Sequence, residues 1–154
     1  MVKIAVVGSR NFPADYGGVE TATEGLYKKL AEKGHEIIFY GRNKANTYEK
    51  TEYARVQVIN LPTIDAVGVG TFFHCFISSF FAAFSDADII HYHAQGPSLF
   101  NIIPKILSPS KKIGFTCQGI DWQRYKLSGG LRENVAYYEN RRVKFSNLVQ
   151  LLGK

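Results

Sequence analysis

The chain has 154 residues, of which 19 are basic and 13 acidic, giving a net charge of +6. With 45% hydrophobic and 14% aromatic residues it can bury a core of its own, which excludes a disordered chain and predicts one domain over residues 1–154. The basic residues fall in short pairs (Lys28-Lys29, Lys111-Lys112, Arg141-Arg142) without a long cationic run, so nucleic acid is not an expected partner.

Cys75 and Cys117 lie far apart with no metal-ligand spacing, and both read as reduced, buried thiols of a cytoplasmic protein; no metal site is expected. Met1-Val2-Lys3 leads directly into an apolar run with no cleavage site, so no signal peptide is expected.

Val2 to Val7 is a short β-branched run that reads as a buried parallel strand. The stretch Gly8 to Glu20 follows as a strand-to-helix loop containing Arg10, Asp15 and Tyr16. Gly17-Gly18 stands where the next helix starts, and backbone N–H groups there can approach an anion without hindrance from a Cβ. Glu20 to Lys33 reads as an amphipathic helix with Val19, Ala22, Leu26 and Leu30 inward and Glu20, Glu24, Lys28 and Glu32 outward; Gly34 is its stop. Glu36 to Tyr40 completes a βαβ unit.

Gly41 to Glu52 is polar and reads as an exposed loop, and Tyr53 to Leu61 as an edge-like third strand ended by Pro62. Ala66 to Phe84 carries no charge and approaches the roughly 20 residues that span a bilayer. It is two-faced, with Phe72, Phe73, Phe76, Ile77, Phe80, Phe81 and Phe84 on one half and His74, Cys75, Ser78, Ser79 and Ala82 on the other. We read it as a helix packed on a sheet, with part of its Phe face near a membrane.

After a turn at Asp86-Ala87-Asp88, Ile89 to His93 is a fourth strand. His91 and His93 alternate along it and are expected to face opposite sides, His91 as a structural residue and His93 toward the loop at 94–97. Ser98 to Leu107 reads as a helix kinked or ended early at Pro104. Lys112 to Cys117 is a fifth strand, Gln118 to Trp122 a third loop at the same sheet edge, Leu131 to Ser146 a last helix and Leu148 to Leu152 a sixth strand. The expected fold is α/β: a Rossmann-like, three-layer domain with a mostly parallel sheet.

A dinucleotide-binding oxidoreductase is disfavoured, because Arg10 and Pro13 occupy the later glycine positions of that fingerprint and the second strand ends in Tyr40-Gly41-Arg42 without the ribose-binding acid. A phosphate loop ending in Lys-Ser or Lys-Thr is also absent.

Gly8-Ser9-Arg10, Pro13-Ala14, Tyr16-Gly17-Gly18-Val19-Glu20, Gly34-His35-Glu36, Asp88 to His93, Gly96-Pro97 and Gly119 to Arg124, in that order, resemble the N-terminal half of a family 4 glycosyltransferase, of its bacterial rhamnosyltransferase-like branch. The resemblance implies the N-terminal half of a GT-B fold, in which two Rossmann-like domains face each other and this one serves the acceptor. It implies a retaining sugar transfer from a nucleotide-sugar donor to a glycan or lipid-linked acceptor in bacterial polysaccharide assembly. No metal or other cofactor is implied beyond the nucleotide-sugar co-substrate. Cytoplasmic residence, with peripheral association at the inner membrane face, follows from the same likeness.

By that resemblance Gly17 and Gly18 lie against the donor diphosphate. Arg10, Asp15, Tyr16, Glu20, His93 and Trp122 bind substrate, and Gln118 and Asp121 form the catalytic pair. Gln118 stands where the family commonly has His, and Gln cannot titrate. The chain stops at Lys154, near the expected linker, so a C-terminal donor domain is expected as its missing partner and the chain alone is expected to be inactive. A non-catalytic ligand-binding domain is the alternative. His35 and His74 read as structural residues.

Overall fold

The computed structural model describes residues 1–15, 18–42, 47–64, 69–93 and 98–116. Its strands are β1 (Lys3–Val7), β2 (Glu36–Gly41), β3 (Glu49–Tyr53), β4 (Val56–Asn60), β5 (Ile89–His93) and β6 (Lys112–Thr116). The helices are α1 (Gly18–Glu32), α2 (Val69–Phe84) and α3 (Ile102–Leu107), the last entered through a 3-10 turn at Leu99–Asn101. The expected strand at 148–152 and helix at 131–146 lie outside the described residues, as does Cys117.

The six strands form one sheet in the order β3-β4-β2-β1-β5-β6. All neighbours are parallel except β3 and β4, so the α/β, Rossmann-like expectation holds. The chain moves outward from β1 to β2 on one side, then returns to β5 and β6 on the other. Strand order therefore reverses between β1 and β5. In open α/β sheets that switch point, at the carboxyl ends of the strands, is where ligands bind.

Alternation along the central strands supplies two cores. Ile4, Val6, Ile37, Phe39, Val56 and Val58 face α1, while Ala5, Val7, Ile38, Tyr40, Ile59, Ile90 and Tyr92 face α2. Gly34, at φ 86°, ends α1 in the left-handed conformation that glycine accepts without strain.

Two local expectations are corrected. Gly41 to Glu52 is not all loop: Glu49–Tyr53 is an edge strand, antiparallel to β4. All five of its residues are exposed, so its side chains carry no apolar alternation to read. The turn that closes this hairpin is Ala54-Arg55, with φ of 50° and 64°. Such two-residue turns favour Asn-Gly, and their absence hides the hairpin from a sequence pattern. Replacing Ala54-Arg55 by Asn-Gly is expected to raise stability by about 1–2 kcal/mol by relieving left-handed strain. An unchanged urea midpoint would show that the turn stores none.

The buried line of α1 runs through Thr23, Tyr27 and Ala31, with Leu26 and Leu30 on its flank and Ala22 exposed. The inward face is rotated relative to the aliphatic stripe because Tyr27 has polar partners across the sheet, described below. The structure also decides which half of α2 packs on the sheet, a choice the sequence reading left open. Its small, polar half is the buried one: His74, Cys75, Ser78, Ser79, Ala82 and Ala83. Phe73, Phe76, Phe80, Phe81 and Phe84 are exposed.

The sheet face under α2 is already bulky, lined by Tyr40, Tyr92, Ile59 and Leu61, so close approach of the helix requires small side chains. The buried hydroxyls of this contact are satisfied. Ser78 donates to the carbonyl of His74 and Ser79 to that of Cys75, both at 2.7 Å, and the Tyr92 hydroxyl donates to Ser79 Oγ at 2.9 Å. Cys75 is a buried free thiol, pushed up by burial to about 12, as expected for an inert residue. At the start of α2, a Cβ on Gly70 would lie 2.3 Å from the Ile64 carbonyl oxygen, so only glycine lets the loop close over the helix there.

Candidate functional site at the carboxyl edge of the sheet

Because β1, β2, β4, β5 and β6 are parallel, they deliver Gly8, Asn60, His93 and Thr116, with the end of β2 at Gly41, to one edge. Gly8 turns the chain out of β1 at φ 99°. The loop that follows is tied down at several points. Phe12 is buried against Phe39 and Tyr53, with ring centroids 4.9 and 6.0 Å away. The Arg10 carbonyl accepts the Arg42 N–H at 2.9 Å, and Asn11 donates to Asp15 at 2.8 Å.

Glu24, expected to be an outward solvated residue, instead accepts the Ala14 N–H at 2.7 Å and pairs with Lys28 one turn on. The Lys28 ammonium, and then the Ala14 amide, hold its carboxyl below the ordinary carboxylate range. Sequence reasoning missed this anchor because Glu24 and Lys28 look like any exposed i, i+4 pair.

This loop leads into Gly18, the first residue of a 15-residue helix, and the first N–H groups of a helix have no partner within it. Glu20 lies in the first turn and is half-buried, while Arg10 and Asp15 are exposed. Ser9 is 3% exposed, and its Oγ has no hydrogen-bond partner among the described residues. That orphaned hydroxyl is a group the sequence reading did not single out. The proposed contacts Tyr16, Gly17, Gln118, Asp121 and Trp122 lie outside the described residues.

On the other side of the switch point, the histidines of β5 differ from expectation. Residues two apart on a strand share a face. His91 and His93 therefore both point toward α1, where the Tyr27 hydroxyl lies 2.7 Å from His91 Nδ1 and 2.6 Å from His93 Nε2. His91 Nε2 is in turn 2.8 Å from Thr116 Oγ1. Tyr27 is fully buried and His93 is 1% exposed, so His93 reaches the edge as part of this network and not as an open side chain.

Burial pushes His91 down to about 4. Burial, followed by repulsion from His91, pushes His93 down to about 3. Both imidazoles are thus neutral at physiological pH, and burial raises the Tyr27 phenol well above its ordinary value. His74 is also buried, and it donates from Nε2 to the Gly41 carbonyl at 2.8 Å, bracing the end of β2 from the α2 side. The structural role expected for it holds.

Two hollows open elsewhere on the described surface. One, of about 640 Å³, lies at the opposite edge between Asp86, Asp88, Lys111 and Lys112. The other, about 390 Å³, runs between the Phe81 and Phe84 rings and Tyr40, Tyr48 and Ile59. Neither lies at the switch point. Among the described residues no cluster of His, Cys, Asp and Glu could hold a metal ion.

Comparison with known proteins agrees with the fold. A solved structure of sucrose-phosphate synthase from Thermosynechococcus elongatus superposes with a TM-score of 0.66 at 15% identity, over 88% of this chain and 39% of that one. The present chain thus spans well under half of that protein's length. No curated protein matches the sequence. The family model for Glycosyltransferase Family 4 matches residues 16–150, nearly the whole chain, and the chain therefore belongs to glycosyltransferase family 4.

Proposed function

We propose that this chain is the acceptor-side half of a retaining glycosyltransferase that takes a sugar from a nucleotide-sugar donor. The observation that carries the reading is the family match over residues 16–150 on a sheet whose switch point is flanked by the start of α1 and the end of β5. In this reading the amides of Gly17 and Gly18 hold the donor diphosphate. The charge that develops on the departing diphosphate is stabilised by those oriented amides and the positive end of α1, in the role a metal ion fills elsewhere.

Arg10, Asp15, Tyr16 and Glu20 contact substrate from the first loop, and Trp122 offers an aromatic face to a sugar ring. Gln118 and Asp121 act at the transferred sugar, Gln118 by hydrogen bonding and Asp121 through its carboxylate. A second, donor-binding domain completes the cleft, and the isolated chain is inactive.

The acceptor in this proposal is a glycan or a lipid-linked glycan in polysaccharide assembly, with rhamnose as the first sugar to test. The uncharged outer face of α2 supports a peripheral position at a membrane, since Phe76, Phe80 and Phe84 are exposed on it. No helix among the described residues is long and apolar enough to cross one.

The test is sugar transfer from a panel of nucleotide sugars, by the 154-residue chain alone and joined to a family 4 donor domain. Transfer by the joined protein only is expected. Robust turnover by the chain alone refutes the two-domain reading, and no turnover in either form favours a binding-only domain. In the joined protein, Gly17→Val is expected to lower kcat at least tenfold by adding a Cβ and branch beside the diphosphate. Unchanged turnover would remove Gly17 from the phosphate site.

A further inference from the structure

The hydrogen bonds around Tyr27 constrain protons as well as rings. We propose that Tyr27 is a positioning residue that holds His91 and His93 in the same tautomer, so that a change at Thr116 is passed through His91 and Tyr27 to His93. Valence limits the possibilities. A neutral imidazole has one N–H and one lone pair, and a phenol hydroxyl has a single proton to donate. Tyr27 O faces Nδ1 of His91 at 2.7 Å and Nε2 of His93 at 2.6 Å.

Two arrangements satisfy all three contacts. In the first, both histidines are Nδ1–H: His91 donates to Tyr27, Tyr27 donates to His93 Nε2, and Thr116 donates to His91 Nε2. In the second, both are Nε2–H: His93 donates to Tyr27, Tyr27 donates to His91 Nδ1, and His91 Nε2 donates to Thr116 Oγ1. The last contact is 2.8 Å in either case.

Unlike tautomers fail. If both facing nitrogens carry protons, the Tyr27 O–H has no acceptor; if neither does, one buried lone pair has no donor. Tyr27 is fully buried, and an unmet hydrogen bond there is costly. Both nitrogens of His91 are engaged, which also determines which way its ring is turned.

The two arrangements present different chemistry at the sheet edge. Thr116 and His93 are register partners on neighbouring strands. In the first arrangement the Thr116 hydroxyl spends its proton on His91 and offers only lone pairs outward, while His93 Nδ1 is a donor. In the second, the Thr116 proton is available outward and His93 Nδ1 is an acceptor. One shift of protons along the chain exchanges the two roles. Half-buried Thr116 can thus meet a ligand hydroxyl as donor or as acceptor, with His93 adjusting in step. That use for a hydroxyl-bearing substrate such as a sugar rests on the function proposed above; the tautomer coupling does not.

The test reads the imidazole nitrogens of the full chain by long-range ¹H–¹⁵N NMR at pH 8. His91 and His93 are expected to show the same tautomer, or the same ratio of tautomers. Thr116→Val is expected to shift both ratios together, whereas Thr116→Ser, which keeps the hydroxyl, shifts neither. In the Tyr27→Phe background, Thr116→Val is expected to move His91 alone. Unlike tautomers in the wild-type chain overturn the proposal, as does a His93 that ignores Thr116→Val or still follows it without the Tyr27 hydroxyl. Matched tautomers together with no sugar transfer by the chain joined to a donor domain would sustain the coupling and refute the transfer reading.

Discussion

Lowering the pH from 7 to 5 should remove most of the folding stability of this domain. His74, His91 and His93 are buried and neutral in the fold, with burial pushing them down to about 4, 4 and 3, whereas in the unfolded chain each titrates near the ordinary 6.5. Between pH 6.5 and 4 the unfolded chain therefore binds protons that the folded chain refuses. Stability falls as pH falls through that window, by about 1.4 kcal/mol per histidine per pH unit.

At pH 5 the three together cost about 6 kcal/mol, comparable to the whole stability of many domains of this size. Urea midpoints at pH 7, 6 and 5 measure the effect directly. A midpoint that stays level over that range would mean that the imidazoles are not held neutral. His74→Gln keeps an N–H for the Gly41 carbonyl while removing one titrating group, and it is expected to reduce the slope by about one third.

The second large effect tests the orientation of α2. Ser79→Leu is expected to lower stability by about 4 kcal/mol, because it overfills a contact built for a small side chain and removes the Ser79 Oγ that accepts from the Tyr92 hydroxyl. Phe80→Ser, on the outer face, is expected to change stability by no more than about 0.5 kcal/mol. Thermal melts of the two variants should differ by roughly 10 °C. The opposite ranking, with Phe80→Ser the more damaging, would mean that the aromatic face is the packed one.

Such a result would contradict the packing of α2 on the sheet. The sequence shows a phenylalanine half and a small, polar half without saying which is packed. Packing decides, because the sheet surface under α2 already holds Tyr40 and Tyr92 and needs a thin helix face to meet it. The same principle explains α1, whose polar Thr23 and Tyr27 are buried while neighbouring Ala22 is exposed. In both helices hydrophobicity located a two-faced element, but the partner surface decided which face turned inward.

The β-strands, by contrast, were legible almost residue for residue where they are buried. The apolar runs at Lys3–Val7, Glu36–Gly41 and Ile89–His93 can be little else, since strands buried on both faces require continuous β-branched and aromatic residues. The exposed strand Glu49–Tyr53 was illegible for the complementary reason: it buries nothing, and its turn lacks the residues that announce a hairpin.

The sequence by itself determined the buried strands, the two long helices between them and the glycine opening of α1. These follow from local composition. Only the tertiary structure decided that Glu24 anchors the first loop, that the phenylalanines of α2 face outward, and that Tyr27 gathers His91, His93 and Thr116 into one hydrogen-bonded chain. Each depends on contacts between residues distant in sequence, and no single stretch of chain encodes what its side chains will meet.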